Sequence, residues 1–591
     1  MTELFEPAGE LDWRFATGAG GLLECFNAAT LLTASDVHVA TRVGVLGGEH
    51  DERVLLAVAL AVRAVRRGSV CLDLATAARL APDLDLDWPP PEEWRTVVEA
   101  SPLLDQGVIR WEHDLLYLDR YHRLETQVCD DLVERAAQPS PDVDEAALSA
   151  AVERIRPGRT SEEQLEAAVR AVRQWTTVIT GGPGTGKTTT VARMLALLAD
   201  QADHHGDRLS VALTAPTGKA AARLQEAVET ELGQLATEDR KRVGRVEAMT
   251  LHRLLGWRRD NATRFRHDRV NRLKYDLIVV DESSMVELTM MARLLEAVRP
   301  QSRLVLAGDP RQLTSVGAGA VLSDLVAGYE GDPDSPVVSL SHNFRSAGQI
   351  KTLAEALRAG DGDAVIDALR ADSDEVEFVE TDEPEAVLHD DAVAAALAVR
   401  RAAEAGDAEG AIRALDEHRL LCAHREGPHG VRHWNRRVER WLAEETGQEI
   451  RGEWYVGRPL LVTANDYTLQ LYNGETGAAV LREDGRLRAW ISGSGGLHDF
   501  ATGRLDQVET MHAMTIHKSQ GSQARRVTVL LPDAGSRLLT RELFYTAVTR
   551  AQEQVRVVGS EAAVRAAVST HAQRATGLSQ RLRAARGESG P

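Results

Sequence analysis

The stretch GGPGTGKTTT at residues 181–190 decides the fold. It fits the spacing G-x-x-x-x-G-K-[ST] with Gly181, Gly186, Lys187 and Thr188. A β-rich run, Thr177 to Thr180, precedes it, and an apolar run of helical spacing, Val191 to Leu198, follows. A strand that turns through glycines into a helix is the context of a phosphate-binding loop. The backbone of Gly181, Gly182, Pro183, Gly184, Thr185 and Gly186 wraps the phosphates, and the helix N-terminus adds its dipole. Lys187 neutralises the β- and γ-phosphates, and Thr188, with Thr189 beside it, offers a hydroxyl to Mg²⁺. ATP with Mg²⁺ is the expected cofactor pair.

Further along the chain, short β-rich runs alternate with helical ones. Leu209 to Leu213, Leu277 to Val280 and Leu304 to Ala307 join Thr177 to Thr180 as one set. Leu420 to Cys422, Leu460 to Val462, Val527 to Leu531 and Val555 to Val558 make a second. Alternation of this kind predicts parallel sheets with crossover helices, and two sets predict two α/β domains. We place them at 161–335 and 336–575. Residues 445–507, with turns at Asn473-Gly474, Glu483 to Gly485 and Gly493 to Gly496, predict a small antiparallel β insert in the second domain. Residues 361–391 carry thirteen acidic side chains against one basic, Arg370, and are expected to be a solvated face or insertion. The first 135 residues have helical periodicity, interrupted by WPPPEEW at 88–94 and by a hairpin around Glu112-His113-Asp114. A linker is expected over 136–160 and a loose basic tail over 576–591.

Composition narrows the classes. The chain of 591 residues is 43% hydrophobic and carries a net charge of −20. That favours several packed cores and, taken alone, argues against nucleic acid as a partner; a basic channel inside an acidic exterior remains compatible with it. Cys25, Cys71, Cys129 and Cys422 stand alone with no CxxC spacing, so zinc, iron–sulfur clusters and a disulfide framework lack support. The acidic N-terminus, MTELFEPAGE, is unlike a signal peptide, and no apolar run approaches the roughly 20 residues of a membrane helix. A reducing cytoplasm is the expected compartment.

The strand Leu277 to Val280 ends in Asp281-Glu282. Phosphoryl transfer uses one carboxylate in the metal shell and one group to activate water, and these roles fall to Asp281 and Glu282. After the next strand comes Gly308-Asp309-Pro310-Arg311-Gln312-Leu313, where Gln312 suits γ-phosphate sensing and water orientation. Arg345 in LSHNFRS and Arg550 in YTAVTRA are candidate arginine fingers, supplied from the second domain to the transition state.

In order along the chain, the phosphate loop, LTAPTGKAAARL (213–224), TLHRLLG (250–256), VVDESSM (279–285), AGDPRQL (307–313), LSHNFRS (340–346), AMTIHKSQGSQ (513–523) and ELFYTAVTRA (542–551) resemble the motifs of superfamily 1 helicases. TLHRLLG and MTIHKSQGS resemble the branch that moves 5′ to 3′ on single-stranded DNA. FNAATLLTASDVHVATRV (26–43) and LLYLDRYHRLE (115–125) resemble the amino-terminal domain of the RecD family, the alpha subunits of the RecBCD helicase–nucleases, also called exodeoxyribonuclease V. The resemblance implies two recA-like domains, an SH3-like insert, RecB-like beta and RecC-like gamma partners in a heterotrimer, and double-strand DNA ends as substrate. It puts Gln164 where a glutamine reads adenine, and Pro216, Thr217, Thr250, His252, Thr515 and His517 at positions that contact single-stranded DNA. A packed core histidine is the alternative for His252, and a surface glutamine for Gln164. Gln523 stands where many relatives carry glutamate.

The segment WRRDNATRFRHDRVNRLK (257–274) has a local charge of +5 between 258 and 274 and a turn at Asp260-Asn261. It resembles the β-hairpin of this branch, a pin against DNA; a solvated basic loop fits the residues equally. Two rival functions remain. A stand-alone RecD-like helicase usually carries helix-hairpin-helix repeats, which are not seen here. A non-catalytic ATP switch is disfavoured by intact Lys187, Thr188, Asp281 and Glu282. With no cluster of nuclease-type carboxylates in view, DNA cutting is assigned to the beta partner.

Overall fold

The computed structural model describes residues 9, 12–82, 84–156, 161–258, 261–314, 317–342, 348–466, 468–493, 496–536, 538–572 and 574–587, with 261–263 by their backbone. Two parallel sheets organise it. In the first, the strand order is Val337–Leu340, Thr176–Gly181, Arg303–Gly308, Leu277–Val280, Val211–Ala215, Ala248–Thr250, all parallel. The second runs Val376–Glu380, Ala551–Gly559, Ala524–Leu530, His418–Cys422, Ala513–Thr515, again all parallel. Their central strands, such as LIVV at 277–280, are buried on both faces, which is why they read as unbroken apolar runs. Parallel strands share one C-terminal edge, and chemistry collects there.

Several boundaries differ from expectation. The strand Val337–Leu340 pairs with Val178 to Gly181, so the first domain extends past residue 335. Within the expected linker 136–160, residues Glu145–Ile155 form a helix. Asp144 caps it by accepting from the N–H of Ala146 and Ala147, both at 3.0 Å. Leu148, Ala151 and Ile155, at helical spacing, enter the core around the phosphate-loop helix Lys187–His204. The acidic stretch 361–391 presents a solvated face, with Asp361, Asp363, Asp367 and Asp372 exposed, but it is no insertion, because it supplies the helix Gly362–Arg370 and the edge strand Val376–Glu380. Leu460 to Val462 leaves the second parallel set. It pairs antiparallel with Thr476–Leu481 and Val508–Thr510 in a separate five-stranded sheet completed by Leu487–Gly493 and Gly496–Ala501.

The N-terminal region packs five helices between Gly21 and Asp105 around Phe26, Leu56, Leu60 and Trp94. Its hairpin, Ile109–Glu112 with Leu115–Leu118, turns at His113 and Asp114, whose φ values of 54° and 59° match a tight two-residue turn. The helix Asp119–Ala136 then buries Leu124, Val128 and Leu132 in a core shared with Met291, Leu295 and Leu304 of the first sheet domain.

The tail is also a correction. Residues Leu578–Ala585 form a helix whose Leu578 and Leu582 join that same core, while Arg581 pairs with Glu112 and Glu125. The expectation of a loose tail missed that its arginines have buried partners. No helix among the described residues is long and apolar enough to cross a membrane.

Candidate nucleotide site and DNA-facing strand ends

The C-terminal edge of the first sheet divides by strand. The phosphate loop follows Thr176–Gly181, Asp309 and Gln312 follow Arg303–Gly308, and Asp281-Glu282 follow Leu277–Val280. These three strands are adjacent, so their loops converge. They border a cavity of about 970 Å³ that is lined by Lys187, Thr188, Asp281, Glu282 and Gln312, and by Gln523 and Arg550 from the second domain.

Backbone demands explain the loop's composition. Gly184 and Gly186 sit at φ 82° and 80°, where a side chain is strained. A Cβ on Gly181 would come within 2.5 Å of Thr185 Oγ1. Lys187 Nζ lies across the loop and donates to the carbonyl oxygens of Gly181 at 2.7 Å and Gly182 at 3.1 Å. Gln164 is buried as the third residue of the helix Glu162–Arg173 and completes a capping box with Ser161. Its Nε2 donates to Thr185 O at 3.1 Å, so it holds the phosphate loop in place.

Burial, and then neighbouring Glu282, push the Asp281 carboxyl above the usual range, while Lys187 pulls it back. Glu282 adopts φ 50°, a left-handed conformation rare outside glycine, which turns the chain sharply just after the strand. Arg550 is 3% exposed and donates to Gln312 Oε1 at 2.9 Å, Thr546 O at 3.1 Å and Ser522 O at 3.3 Å. Burial lowers its guanidinium below the ordinary arginine value, with Glu282 the strongest opposing influence. The residues fit Mg²⁺. Among the described residues no group of three His, Cys, Asp or Glu could hold a metal, but Mg²⁺ bound to phosphates needs only one or two protein oxygens, the kind that Thr188 and Asp281 bring to the cavity lining.

Sequence reasoning missed three residues here. Asp309 accepts from Gln312 Nε2 at 3.3 Å and from Tyr545 Oη at 2.9 Å, tying the two domains together beside the phosphate loop. Arg223 lines the cavity from the helix Gly218–Gly233. All three lie inside helicase-like motifs, at 307–313, 213–224 and 542–551, and the likeness of 213–224 to a DNA-contacting loop masks the place of Arg223 at the cavity. Arg345 lies outside the described residues.

The strands next to the nucleotide set carry the expected DNA positions. Pro216 and Thr217 follow Val211–Ala215, and Thr250 ends its neighbour Ala248–Thr250. Thr217 Oγ1 accepts from Ala220 N at 3.2 Å and Thr250 Oγ1 from Arg253 N at 3.3 Å, so both hydroxyls cap helices. Thr515 ends the edge strand of the second sheet and accepts from Lys518 N at 3.3 Å, with His517 in the following turn. His252 stands edge-on to Phe265, ring centres 5.8 Å apart, and burial lowers its pKa, as it does for His517. The basic segment forms a two-stranded antiparallel ribbon, Trp257–Arg258 with Asn261–Phe265; residue 260 of its expected turn lies outside the described residues. Arg264 and Arg269 pair with Glu296 and Asp131, and Arg272 donates to Val298 O, so part of that basic charge is neutralised within the chain.

Family models match in three places: an AAA domain over 164–318, a UvrD-like helicase C-terminal domain over 510–558, and the N-terminal domain of RecBCD enzyme subunit RecD over 28–117. The RecBCD enzyme subunit RecD of Mycobacterium tuberculosis is 57% identical across 97% of this chain and 98% of that protein. The chain belongs to the RecD family. Its counterpart from Mycolicibacterium smegmatis is 58% identical over 95% of this chain and 99% of that protein. A solved structure of two coordinating Pif1 helicases on forked duplex DNA aligns over 68% of this RecD-family chain and 92% of its own, with 16% identity and a TM-score of 0.38.

Proposed function

We infer that this chain, an ATP-dependent DNA helicase of the RecBCD type, moves 5′ to 3′ along one strand of a double-strand DNA end and prepares it for recombination. One observation carries the motor reading: Lys187, Asp281, Glu282 and Gln312 of one sheet domain share a cavity with Arg550 of the other. Hydrolysis there answers to the spacing of two domains, which is what turns it into movement. Lys187 neutralises phosphate charge, Thr188 and Asp281 would hold Mg²⁺, and Glu282 accepts the proton of the attacking water. When bound, Mg²⁺ would supply charge neutralisation to the phosphates. Gln312, held between Asp309 and Arg550, orients that water and reports closure. Strand grip falls to Pro216, Thr217, Thr250, His252, Thr515 and His517. Family resemblance supports the polarity. Strand-displacement assays on duplexes with a single-stranded tail test it: a 5′ tail gives unwinding and a 3′ tail gives none, and preference for the 3′ tail overturns the direction.

RecB-like and RecC-like subunits are the proposed partners, with the N-terminal region docking on the latter. On the helix Ala34–Gly47, Val39 and Leu46 are seven residues apart and share a face, exposed by 42% and 70%, with Val45 at 64%. An apolar cluster in solvent on a region without chemistry suits a packed interface. The double change Val45→Asp, Leu46→Asp should leave DNA-dependent ATPase activity near wild type and remove the chain from pull-downs with the beta and gamma subunits. Full assembly of the variant places docking elsewhere.

A further inference from the structure

Arg223 and Gln523 meet across the nucleotide cavity, one from each sheet domain. The Arg223 guanidinium donates to Gln523 Oε1, and its other amino group reaches Gly521 O at 3.4 Å. Gln552 Nε2 donates to the same Gln523 oxygen at 3.4 Å, which fixes the amide with its oxygen toward the arginine. Backbone fit reinforces the contact. Gly521 has φ 71°, and a Cβ there would stand 3.2 Å from Ala220 Cβ, so this turn is pressed onto the helix that carries Arg223. That helix begins at Thr217, and its Lys219 donates to Thr476 Oγ1 of the antiparallel sheet at 3.3 Å. One rigid element thus touches the proposed DNA loop, the nucleotide cavity and both parts of the second domain.

Resting on the nucleotide reading above, we propose that Arg223 and Gln523 form a cross-cleft latch, a positioning pair that sets how closely Arg550 approaches Gln312 and the phosphates. The chemistry suits a contact remade every cycle. A charged donor on a neutral acceptor is stronger than an amide pair. It lacks the full ion pair that a glutamate at 523 would add, so opening leaves no uncompensated anion behind. The two contacts of Arg223, to Gln523 and to Gly521, fail together when the domains separate, which makes the latch depend on closure.

The test is steady-state ATP hydrolysis by the full chain with single-stranded DNA, in Arg223→Ala, Gln523→Ala, the double variant and Gln523→Glu. Loss of the Arg223–Gln523 hydrogen bond predicts a fall in kcat of roughly tenfold in Gln523→Ala and at least that in Arg223→Ala, which also loses Gly521, with KM for ATP moving less than kcat. The double variant should be no slower than the slower single, since both remove one interaction. Gln523→Glu keeps an acceptor in place and should run faster than Gln523→Ala. Losses that multiply in the double variant, wild-type kcat in Gln523→Ala, a Gln523→Glu as slow as the alanine, or losses that track a drop in melting temperature each overturn the latch. Failure of the hydrolysis reading looks different: the wild-type chain would then lack DNA-dependent ATPase activity altogether.

Discussion

Two seams run through this molecule, one chiefly polar and one built on a large apolar core. Across the nucleotide cavity the two sheet domains meet chiefly through polar contacts, Tyr545 to Asp309, Arg550 to Gln312, the Leu313 N–H to Thr546 and Gln520 to the Leu313 carbonyl, with the Leu313 side chain set into the core of the second domain. Between the N-terminal region, the first sheet domain and the C-terminal helix runs one continuous apolar core, in which Leu124 and Val128 touch the same cluster as Met291, Leu578 and Leu582. Hydrogen bonds exchange with water at a net cost of about 1 kcal/mol each, so the first seam can open and close. Separating the second exposes apolar surface at about 25 cal/mol per Å² with nothing in return. On these energies, separating the N-terminal region from the first sheet domain costs more than separating the two sheet domains.

The comparison sharpens most at Lys187. Lys187→Gln should lower DNA-stimulated ATP hydrolysis by at least about 100-fold, the scale of losing one preorganised donor to a transition state. Melting should be unchanged, because the side chain's contacts are the two loop carbonyls of Gly181 and Gly182. Near-normal turnover in the variant breaks the assignment of the polar seam as the engine.

How legible each seam was follows from its materials. The engine depends on φ values only glycine tolerates easily and on carboxylates at strand ends, and both leave marks at fixed spacing: Gly184, Gly186, Asp281-Glu282. The two sheets were visible because buried parallel strands must be apolar throughout. The apolar seam leaves weaker marks. Leu578 and Leu582, four apart, are the chief signal of the last helix, and four arginines between 574 and 587 obscured it. Those arginines are used internally: Arg574 donates to Gly317 O and Gly319 O, Arg583 to Ala327 O and Arg586 to Gly328 O. The helix Glu145–Ile155 was hidden by the prolines just before it, and Leu460 to Val462 by an apolar run that fits either kind of sheet. A contact between residues distant in sequence, such as Arg581 with Glu125, has no local spacing to read.

That pair gives the next effect. Glu125 is 1% exposed and holds Gly577 N at 3.1 Å, where the chain passes so close that a Cβ on Gly577 would come within 1.8 Å of Tyr117 Oη. Arg581 supplies the cation, 2.5 Å from Glu112 and 3.4 Å from Glu125. Arg581→Ala should cost about 3–5 kcal/mol, the penalty of leaving a buried carboxylate unpaired. Denaturation should show it, while kcat per folded molecule stays within about threefold of wild type, below the roughly tenfold that 1.4 kcal/mol in a barrier represents. Lost hydrolysis without lost stability would show that the two seams are one machine.

The smallest effect comes from Asp324, beside the same helix. It accepts from Thr576 Oγ1 at 2.7 Å, but burial pushes its carboxyl up to about 7 from the ordinary aspartate value of 3.8, with Glu125 adding to the rise. The sign follows from where the proton sits. Below pH 4 the group is protonated both folded and unfolded and contributes nothing. Between about pH 4 and 7 the unfolded chain has released its proton and the folded chain has not, so stability falls as pH rises, by up to about 4 kcal/mol in all. Asp324→Asn keeps an oxygen for Thr576 and cannot ionise. Its buried amide costs about 1–3 kcal/mol of that gain, leaving the variant about 1–3 kcal/mol more stable than wild type at pH 8. At pH 4 the advantage should reverse to a deficit of about 1–3 kcal/mol, because Asp324 is then neutral in the folded chain and the cost of the amide remains. Thermal melts of both chains across this range decide it. Parallel pH profiles would mean that Asp324 ionises freely in the folded chain, and that water reaches the seam described here as a closed apolar core.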